Sequence, residues 1–224
     1  MQRLAAVIGL VCVLSAALLT LAADDKNNAK QAARKFACID LKDKSNHKLN
    51  ELFHANAPAG NNLDCLTRGE QTLENIKFKI GEGYIRLESA KLSDKPDKVE
   101  GIKVDKRFTK LHILHATAWS TDNDTIIGEY TINWEDDTSV TIPIIYGKDV
   151  LDWWTTDDVV DASRVKVAWK GENEASKARD MHVRLYLTSW ENAKPEKKVK
   201  TIDFATTKET ICAPFCIAMS IEEE

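Results

Sequence analysis

The sequence predicts an all-β protein built as an antiparallel β-sandwich of the jelly-roll type. About eleven short segments alternate apolar and polar residues, which is the two-residue period of a strand half-buried in a sheet. Gly, Pro, Asn and Asp residues separate these segments, and no stretch shows the period of a long helix. Many short strands with turn signals between them are typical of a sandwich or jelly roll.

The segment 130–154, YTINWEDDTSVTIPIIYGKDVLDWW, contains the clearest hairpin. Its first strand alternates apolar with polar residues, and Asp136 and Asp137 then supply turn chemistry. Pro143 in the return strand has no N–H to donate, so this strand is expected at a sheet edge or beside a bulge. The return strand places four apolar residues on one face: Val140, Ile142, Ile144 and Tyr146.

The last predicted strand should turn one strongly apolar face toward the core. That face is formed by Ile211, Ala213, Phe215, Ile217, Met219 and Ile221. Trp134 and Trp169 are expected in the core, and residues 46–75 are predicted to form an irregular surface loop. The predicted strands cover residues 36–42, 76–80, 84–89, 99–104, 109–118, 126–135, 139–146, 165–170, 182–188, 199–205 and 211–221.

The N-terminus has the layout of a secretory signal peptide. An uncharged apolar run at 4–21 follows Arg3, and small residues place the cleavage site after Ala22. Because the run is close to the shortest membrane span, an uncleaved anchor is the alternative. The predicted organisation is a signal peptide at 1–22, a polar linker at 23–35 and a β-sandwich domain at 36–224.

A signal peptide predicts export to the periplasm, the cell envelope or the extracellular space. No second apolar run reaches spanning length, so no membrane span is expected after cleavage. The formal net charge is −4, with acidic and basic residues mixed along the chain. This mixture argues against a nucleic-acid partner, which would require a basic patch.

Four cysteines follow the predicted cleavage site: Cys38, Cys65, Cys212 and Cys216. In an exported protein an even number permits two disulfides. Cys212 and Cys216 would lie about 13 Å apart on an extended segment, so each would have to pair with an N-terminal cysteine. The alternative is that the cysteines are small buried apolar side chains. A zinc site is not expected without a closely spaced pair.

Histidines and acids do not predict a catalytic site. His112 and His115 are three residues apart on a strand, so they point to opposite faces and cannot share one metal ion. His115 is expected to be a hydrogen-bonded core residue. No cofactor is predicted; structural calcium is conceivable, but no calcium-binding motif supports it. The chain is predicted not to be an enzyme, since its clustered acids are typical of solvated turns: Glu135, Asp136, Asp137, Asp157, Asp158 and Asp161.

Aromatic residues outside the strands are the best candidates for a binding surface. Trp153 and Trp154 cannot both face the core of an extended segment, so one should face a cleft, and Trp190 is expected in a loop after the strand at 182–188. Binding sites combine apolar platforms with a few polar partners, and sugars present an apolar face beside hydroxyls. The alternative is that these rings cap the ends of the sandwich. The candidate ligand-binding residues are Trp119, Tyr146, Asp152, Trp153, Trp154, Trp190, Glu191 and Asn192.

Distinctive blocks run through the chain: GNNLDCLTRGEQTLENIKFKI, VEGIKVDKRFTKLHILHATAW, IGEYTINWEDDTSVTIPIIYGKDVLDWW, VAWKG and RLYLTSWENAKPEKKVKTIDF. These blocks resemble a module of exported bacterial proteins, notably of planctomycetes. That module is similar to galactose-binding-like jelly rolls, including the sugar-binding domains attached to glycoside hydrolases. The resemblance covers residues 36–221 and departs at 73–75, where Leu, Glu and Asn replace a glycine-rich turn. It implies a noncatalytic domain that meets its ligand through loops at one end, without assigning ligand residues.

The sequence therefore predicts a secreted, noncatalytic binding module whose partner is a polysaccharide or an envelope glycan. The alternative is a structural or protein-interaction module of the cell envelope. A third hypothesis, a hydrolase, would require two carboxylates about 5 to 10 Å apart across a cleft.

Overall fold

A computed structural model describes residues 34–156 and 165–223. The chain divides into two units, Met1–Lys35 and Phe36–Glu224, and the second contains the sheets described below. The predicted signal peptide, residues 23–33 of the predicted linker, and the acids Asp157, Asp158 and Asp161 lie outside the described residues. No helix within the described ranges is long and apolar enough to cross a membrane.

The described residues are almost entirely β-structure, which confirms the predicted all-β class. One short helix, α1 (Glu174–Lys177), lies between two strands. The strands are β1 (Lys35–Ile39), β2 (His47–Lys48), β3 (Gly69–Leu73), β4 (Ile76–Ile80), β5 (Gly83–Arg86), β6 (Lys98–Lys106), β7 (Lys110–Ala118), β8 (Ile126–Trp134), β9 (Ser139–Ile145), β10 (Trp154–Thr155), β11 (Val167–Gly171), β12 (His182–Glu191), β13 (Val199–Thr206) and β14 (Ala213–Glu223).

Antiparallel pairing arranges these strands in sheets, which is consistent with the predicted β-sandwich. The larger sheet has eight strands in the order β10, β12, β7, β14, β5, β2, with β11 beside β12 and β1 beside β14. The second sheet has four strands in the order β6, β13, β8, β9. Strands β3 and β4 pair only with each other.

The central strands of the eight-stranded sheet are covered on both faces. On the inner face, the His115 ring of β7 lies 5.8 Å from the Tyr130 ring of the four-stranded sheet. On the outer face, the Phe215 ring of β14 lies 5.4 Å from Phe53 and 5.8 Å from Trp153. Residues 111–118 of β7 are consequently all buried. A strand buried on both faces gains apolar contacts from each side chain rather than from every second one.

Strand β14 corrects the prediction that Ile211, Ala213, Phe215, Ile217, Met219 and Ile221 share one inward face. Cys216 pairs with His115 and Ala218 pairs with Leu114, so a bulge at Ile217 inserts one residue into the strand. An inserted residue reverses the faces of everything beyond it. Phe215 therefore lies on the outer face, whereas Met219 lies opposite Ile113 on the inner face. Ile211 precedes the strand and is 44 % exposed.

The hairpin β8–β9 forms as predicted. Tyr130 pairs with Ile142 and Ile132 pairs with Val140, so the apolar residues of both strands share the face toward the core. β9 is the edge of its sheet, and Pro143 is therefore placed where a missing N–H costs no ladder bond. Trp134 is buried in the core as predicted, whereas Trp169 on β11 is only partly buried against it.

The prediction of an irregular loop at 46–75 is only partly correct, because this segment contains β2 and β3. Strands β3 and β4 are joined by Glu74 and Asn75, whose φ values are 51° and 63°. Two consecutive residues with positive φ form the type I′ turn that closes two-residue hairpins. Asn tolerates this conformation but Glu rarely adopts it, so the residues at 74–75 do not indicate this turn type in the sequence.

Cys38, Cys65, Cys212 and Cys216 are free thiols, so the structure contains neither of the two disulfides that the sequence permits. Cys212 and Cys216 are buried, and desolvation raises the pKa of the Cys216 thiol to about 12. Cys65 is exposed and Cys38 is partly exposed. The alternative of small buried side chains therefore describes Cys212 and Cys216 but not Cys65.

The residues around Phe53 that cover the outer face of the eight-stranded sheet are called the outer layer. A fully buried arginine connects this layer to the sheet. Arg86 of β5 donates hydrogen bonds to the Phe53 carbonyl and to the Asp94 carboxylate. Its guanidinium also lies 5.2 Å from the centre of the Phe53 ring. Although partial burial raises the pKa of Asp94, the hydrogen bond and charge of Arg86 outweigh it and hold that pKa below its usual range. The residues around Phe53 are thereby fixed against the sheet.

Candidate functional site

A cleft of about 280 Å³ opens where β7 ends and β10 begins. Segments 53–61, 118–119, 152–154 and 179–181 line it. We call it the tryptophan cleft, after Trp119 and Trp154. The polar and charged side chains of the cleft include His54, Asn61, Asp152 and Arg179.

Backbone pairing brings the two tryptophans of the cleft together. Asp152 forms a parallel bridge with Thr117, and the Trp153 N–H donates to the Thr117 carbonyl over 2.9 Å. β10 then adds Trp154 to the sheet opposite Val183. Trp119 has a φ of 62° and turns the chain out of β7. The two rings therefore come from segments that the sheet itself positions.

Trp153 and Trp154 point to different environments, as the sequence predicted for adjacent residues of an extended segment. Trp153 is 2 % exposed and packs on Phe53 at a ring separation of 5.2 Å. Trp154 is only partly buried, and its indole N–H donates to the Asn61 Oδ1 over 3.1 Å. Trp153 is therefore a core residue, whereas Trp154 presents a partly exposed and oriented ring to the cleft.

The Trp119 ring forms a second wall of the cleft. It is partly buried, and the His54 ring lies 5.6 Å away at an angle of 37°. The Lys91 ammonium lies 4.4 Å from the centre of the same ring. Burial and the nearby charges of Arg86 and Lys91 lower the pKa of His54, which favours the neutral imidazole.

Asp152 is the carboxylate of the cleft. Its Oδ1 accepts the Trp154 N–H over 3.1 Å, and the N–H groups of Trp119 and Trp153 also favour its ionised form. Burial is the larger effect and raises the pKa of Asp152 to about 6. The carboxylate thus holds the two tryptophan segments together. Tyr146 lies behind it and is buried, which raises the pKa of the Tyr146 phenol.

Trp190, Glu191 and Asn192 lie at the opposite end of the sheet. Trp190 and Glu191 belong to β12 rather than to the loop that the sequence predicted, because the strand continues past Thr188. Trp154 pairs with Val183 and Trp190 pairs with Leu111, and the seven residue steps along β12 from Val183 to Trp190 span about 23 Å. The eight candidate residues therefore do not form one site.

The side chains at this far end have local partners. Glu191 pairs with Lys110 over 2.8 Å, and that bond and charge lower the Glu191 pKa. The buried Asn192 donates to the Phe108 carbonyl over 3.0 Å and accepts the Lys194 N–H. These contacts fix the turn after β12.

A larger cavity of about 480 Å³ lies between the end of β1 and the β2–β5 edge. Its walls are mainly apolar, with Ile39, Leu41 and Ile217 at the base and charged side chains at the rim. It has no aromatic platform other than the His47 ring. The tryptophan cleft matches a flat ligand with polar edges better.

In the described part of the chain, histidines meet acids in pairs but not in larger clusters. Within 34–156 and 165–223, no group of three or more His, Cys, Asp or Glu is placed to hold a metal ion. His115 is buried and hydrogen-bonded to the Tyr130 and Thr188 hydroxyls, which confirms the predicted core histidine. Asp136 lies in the β8–β9 turn and pairs with the Lys197 ammonium.

Comparisons with protein-family models, with curated proteins and with solved structures gave no match. The resemblance to a galactose-binding-like module therefore stays a prediction from the sequence. The geometry of the cleft carries the functional argument.

Sequence reasoning missed His54, Asn61, Lys91 and Arg179. His54, Asn61 and Arg179 line the cleft, and Lys91 lies on its Trp119 ring. All four are far from Trp154 in sequence, and none has a periodic pattern or a motif. One local signal exists for Arg179, since Asn173 and Ser176 form a capping box that begins the short helix before it. That signal predicts a helix but not the cleft beside it.

The stability of the domain is expected to fall as the pH decreases from 6.5 to 4.5. Burial lowers the pKa of His115 to about 3, and burial with the charges of Arg86 and Lys95 lowers that of His47 to about 4. The unfolded chain binds protons on both near pH 6.5, so acid favours unfolding. The raised pKa of Asp152 acts oppositely, because the folded state then binds the extra proton.

The effect of the two histidines exceeds the opposite effect of the one aspartate. The free energy of unfolding should therefore decrease by about 1 kcal/mol for each pH unit of acidification in this window. Urea unfolding at pH 6.5, 5.5 and 4.5 measures it. His115→Gln should remove about half of the acid sensitivity that the histidines contribute. A free energy of unfolding that stays constant or rises on acidification would contradict this assignment.

Proposed function

We propose that this domain is a noncatalytic binding module that binds a carbohydrate in the tryptophan cleft. The observation that carries the proposal is the position of Trp119 and Trp154 in one cleft beside the polar groups of Asn61 and Asp152. Both rings are partly exposed, although adjacent Trp153 is buried. An apolar platform with a few oriented polar groups is the usual composition of a small-molecule site.

The chemistry of sugars matches this composition. One face of a pyranose ring carries C–H groups that pack on an indole, and its edges carry hydroxyls that bond to amides and carboxylates. The volume of about 280 Å³ is near the lower end for ligand sites. We therefore expect the cleft to hold one sugar unit of a longer chain.

The proposal of a noncatalytic role is supported by the acids of the cleft. Asp152 is the one carboxylate that lines it among the described residues, and its Oδ1 already accepts the Trp154 N–H. Glycoside hydrolysis uses two carboxylates across the substrate. Binding requires no such pair.

The proposal also includes the fold family and the cellular location of the protein. The antiparallel sheets support a jelly-roll, galactose-binding-like domain, and the apolar run at 4–21 supports export. An exported sugar-binding module would meet polysaccharides of the envelope or the surroundings.

Trp154→Ala is expected to weaken carbohydrate binding about 10-fold to 30-fold, because truncating a central tryptophan removes its packing area. Trp190→Ala is the matched control, since it removes an equally large and partly buried ring about 23 Å away. Affinity electrophoresis against galactan, xylan, polygalacturonate, alginate and carrageenan measures both variants. Circular dichroism checks that each variant folds.

Two outcomes would contradict the proposal. One is that folded wild-type protein binds none of these polysaccharides. The other is that Trp190→Ala loses binding while Trp154→Ala retains it, which would move the site to the opposite end of the sheet.

A further inference from the structure

Two cations lie on the rings of the tryptophan cleft. The Arg179 guanidinium lies 5.7 Å from the centre of the Trp154 ring, and the Lys91 ammonium lies 4.4 Å from that of Trp119. A cation over an indole face is attracted to the electron-rich face of the ring. We call Arg179 and Lys91 the cationic rim.

Neither cation of the rim has an acidic partner among the described residues. The Arg179 Nη1 donates to the Ala175 carbonyl over 3.1 Å, which leaves its other N–H groups available. The Lys91 ammonium lies on the Trp119 ring, and no acid in the described part of the chain pairs with it. By contrast, Lys110, Lys197 and Lys208 elsewhere on the domain each pair with a carboxylate.

Two acids near the cleft are already engaged. Asp152 accepts backbone N–H groups, and Asp94 is bound to the buried Arg86. Among the described residues, the cleft therefore presents two positive charges without an acidic partner beside its indole rings. Guanidinium and ammonium groups recognise carboxylate and sulfate through short charge-assisted hydrogen bonds.

We propose that the ligand of the tryptophan cleft is an anionic carbohydrate, a sugar that carries a carboxylate or a sulfate group. Its ring packs on Trp154 or Trp119, and its anionic group bonds to Arg179 or Lys91. The charged side chain moves off the indole face to meet the anion, which is a rotamer change of a long flexible chain. This inference rests on the proposed function and narrows the class of sugar.

The test compares charged polysaccharides with neutral forms of the same chain. The probes are polygalacturonate against its fully methyl-esterified form, alginate against its esterified form, and carrageenan against the desulfated galactan. We expect one charged probe to bind at least 10-fold more tightly than its neutral form. Its affinity should decrease as salt is raised, because exposed charges are screened.

Variants separate a specific contact from general charge attraction. Arg179→Gln or Lys91→Gln should weaken binding of that charged probe about 10-fold and leave binding of its neutral form unchanged. Lys200→Gln is the charge-matched control, because Lys200 is an exposed lysine on β13 in the other sheet. Thermal unfolding checks that all three variants fold.

The outcomes distinguish this inference from the function on which it rests. Tight binding of a neutral probe that Trp154→Ala abolishes and Arg179→Gln and Lys91→Gln do not affect would overturn the inference and keep the proposed function. Equal weakening by Lys200→Gln would overturn it as general charge attraction. No carbohydrate binding at all would remove both.

Discussion

Asp94→Ala is expected to lower the free energy of unfolding by about 3 kcal/mol, because it leaves a buried guanidinium without its counter-charge. Arg86 is fully buried, whereas the Asp94 side chain is 55 % exposed. This expected loss is at the lower end of the range for breaking a buried ion pair. The Asp94 carboxylate is exposed, so water can partly replace it as a partner of the guanidinium. Urea unfolding at pH 7 measures the change.

Asp97→Ala is the matched control for this variant. Its side chain is 54 % exposed and pairs with Lys208 over 2.8 Å, and that lysine is also half-exposed. Exposed pairs contribute little to stability, so no measurable change is expected. Equal effects of the two substitutions would show that burial of Arg86 is not what makes the Asp94 contact important.

Phe53→Ala is expected to destabilise the domain by about 3 to 5 kcal/mol, the usual cost of removing a buried aromatic ring. Phe53 is 1 % exposed, and its ring contacts Trp153, Phe215 and Trp119. The variant leaves a cavity behind the Trp119 wall, so we also expect the tryptophan cleft to loosen. Denaturant unfolding measures the stability and tryptophan emission reports the change around the indoles.

Leu52→Ala is the neighbouring control, because Leu52 is 37 % exposed and precedes the same residue. We expect Leu52→Ala to lower the free energy of unfolding by less than about 1 kcal/mol, as surface substitutions generally do. A loss below about 1 kcal/mol for Phe53→Ala would contradict the role of this ring as the centre of the outer layer.

Strands with one solvent-exposed face could be predicted well from the sequence. The hairpin β8–β9 was correct because the four-stranded sheet is covered on one face, so the alternation around Ile132 and Ile142 reflects real burial. The prediction for β14 assigned the wrong faces because this strand is buried on both. Apolar residues then occur at every position, and the bulge at Ile217 leaves no signal in the sequence.

The cleft could be predicted only in part. The pair at 153–154 indicated that one ring would leave the core, since the parity of an extended segment forces it. Which segments lie opposite could not be predicted, because Asn61 and Arg179 reach Trp154 through the packing of the sheet and its outer layer. Trp190 was assigned to a loop because the polar residues after Thr188 do not reveal that the strand continues.

The most direct test of the tryptophan cleft is a two-dimensional 15N–1H spectrum of the indole N–H groups, recorded with and without a polysaccharide that binds. The chain has six tryptophans, and substitution of each one by phenylalanine assigns its signal. If the ligand binds in the tryptophan cleft, the signals of Trp154 and Trp119 shift, while those of Trp190 and Trp169 stay in place. A shift confined to Trp190, with Trp154 and Trp119 unchanged, would contradict it.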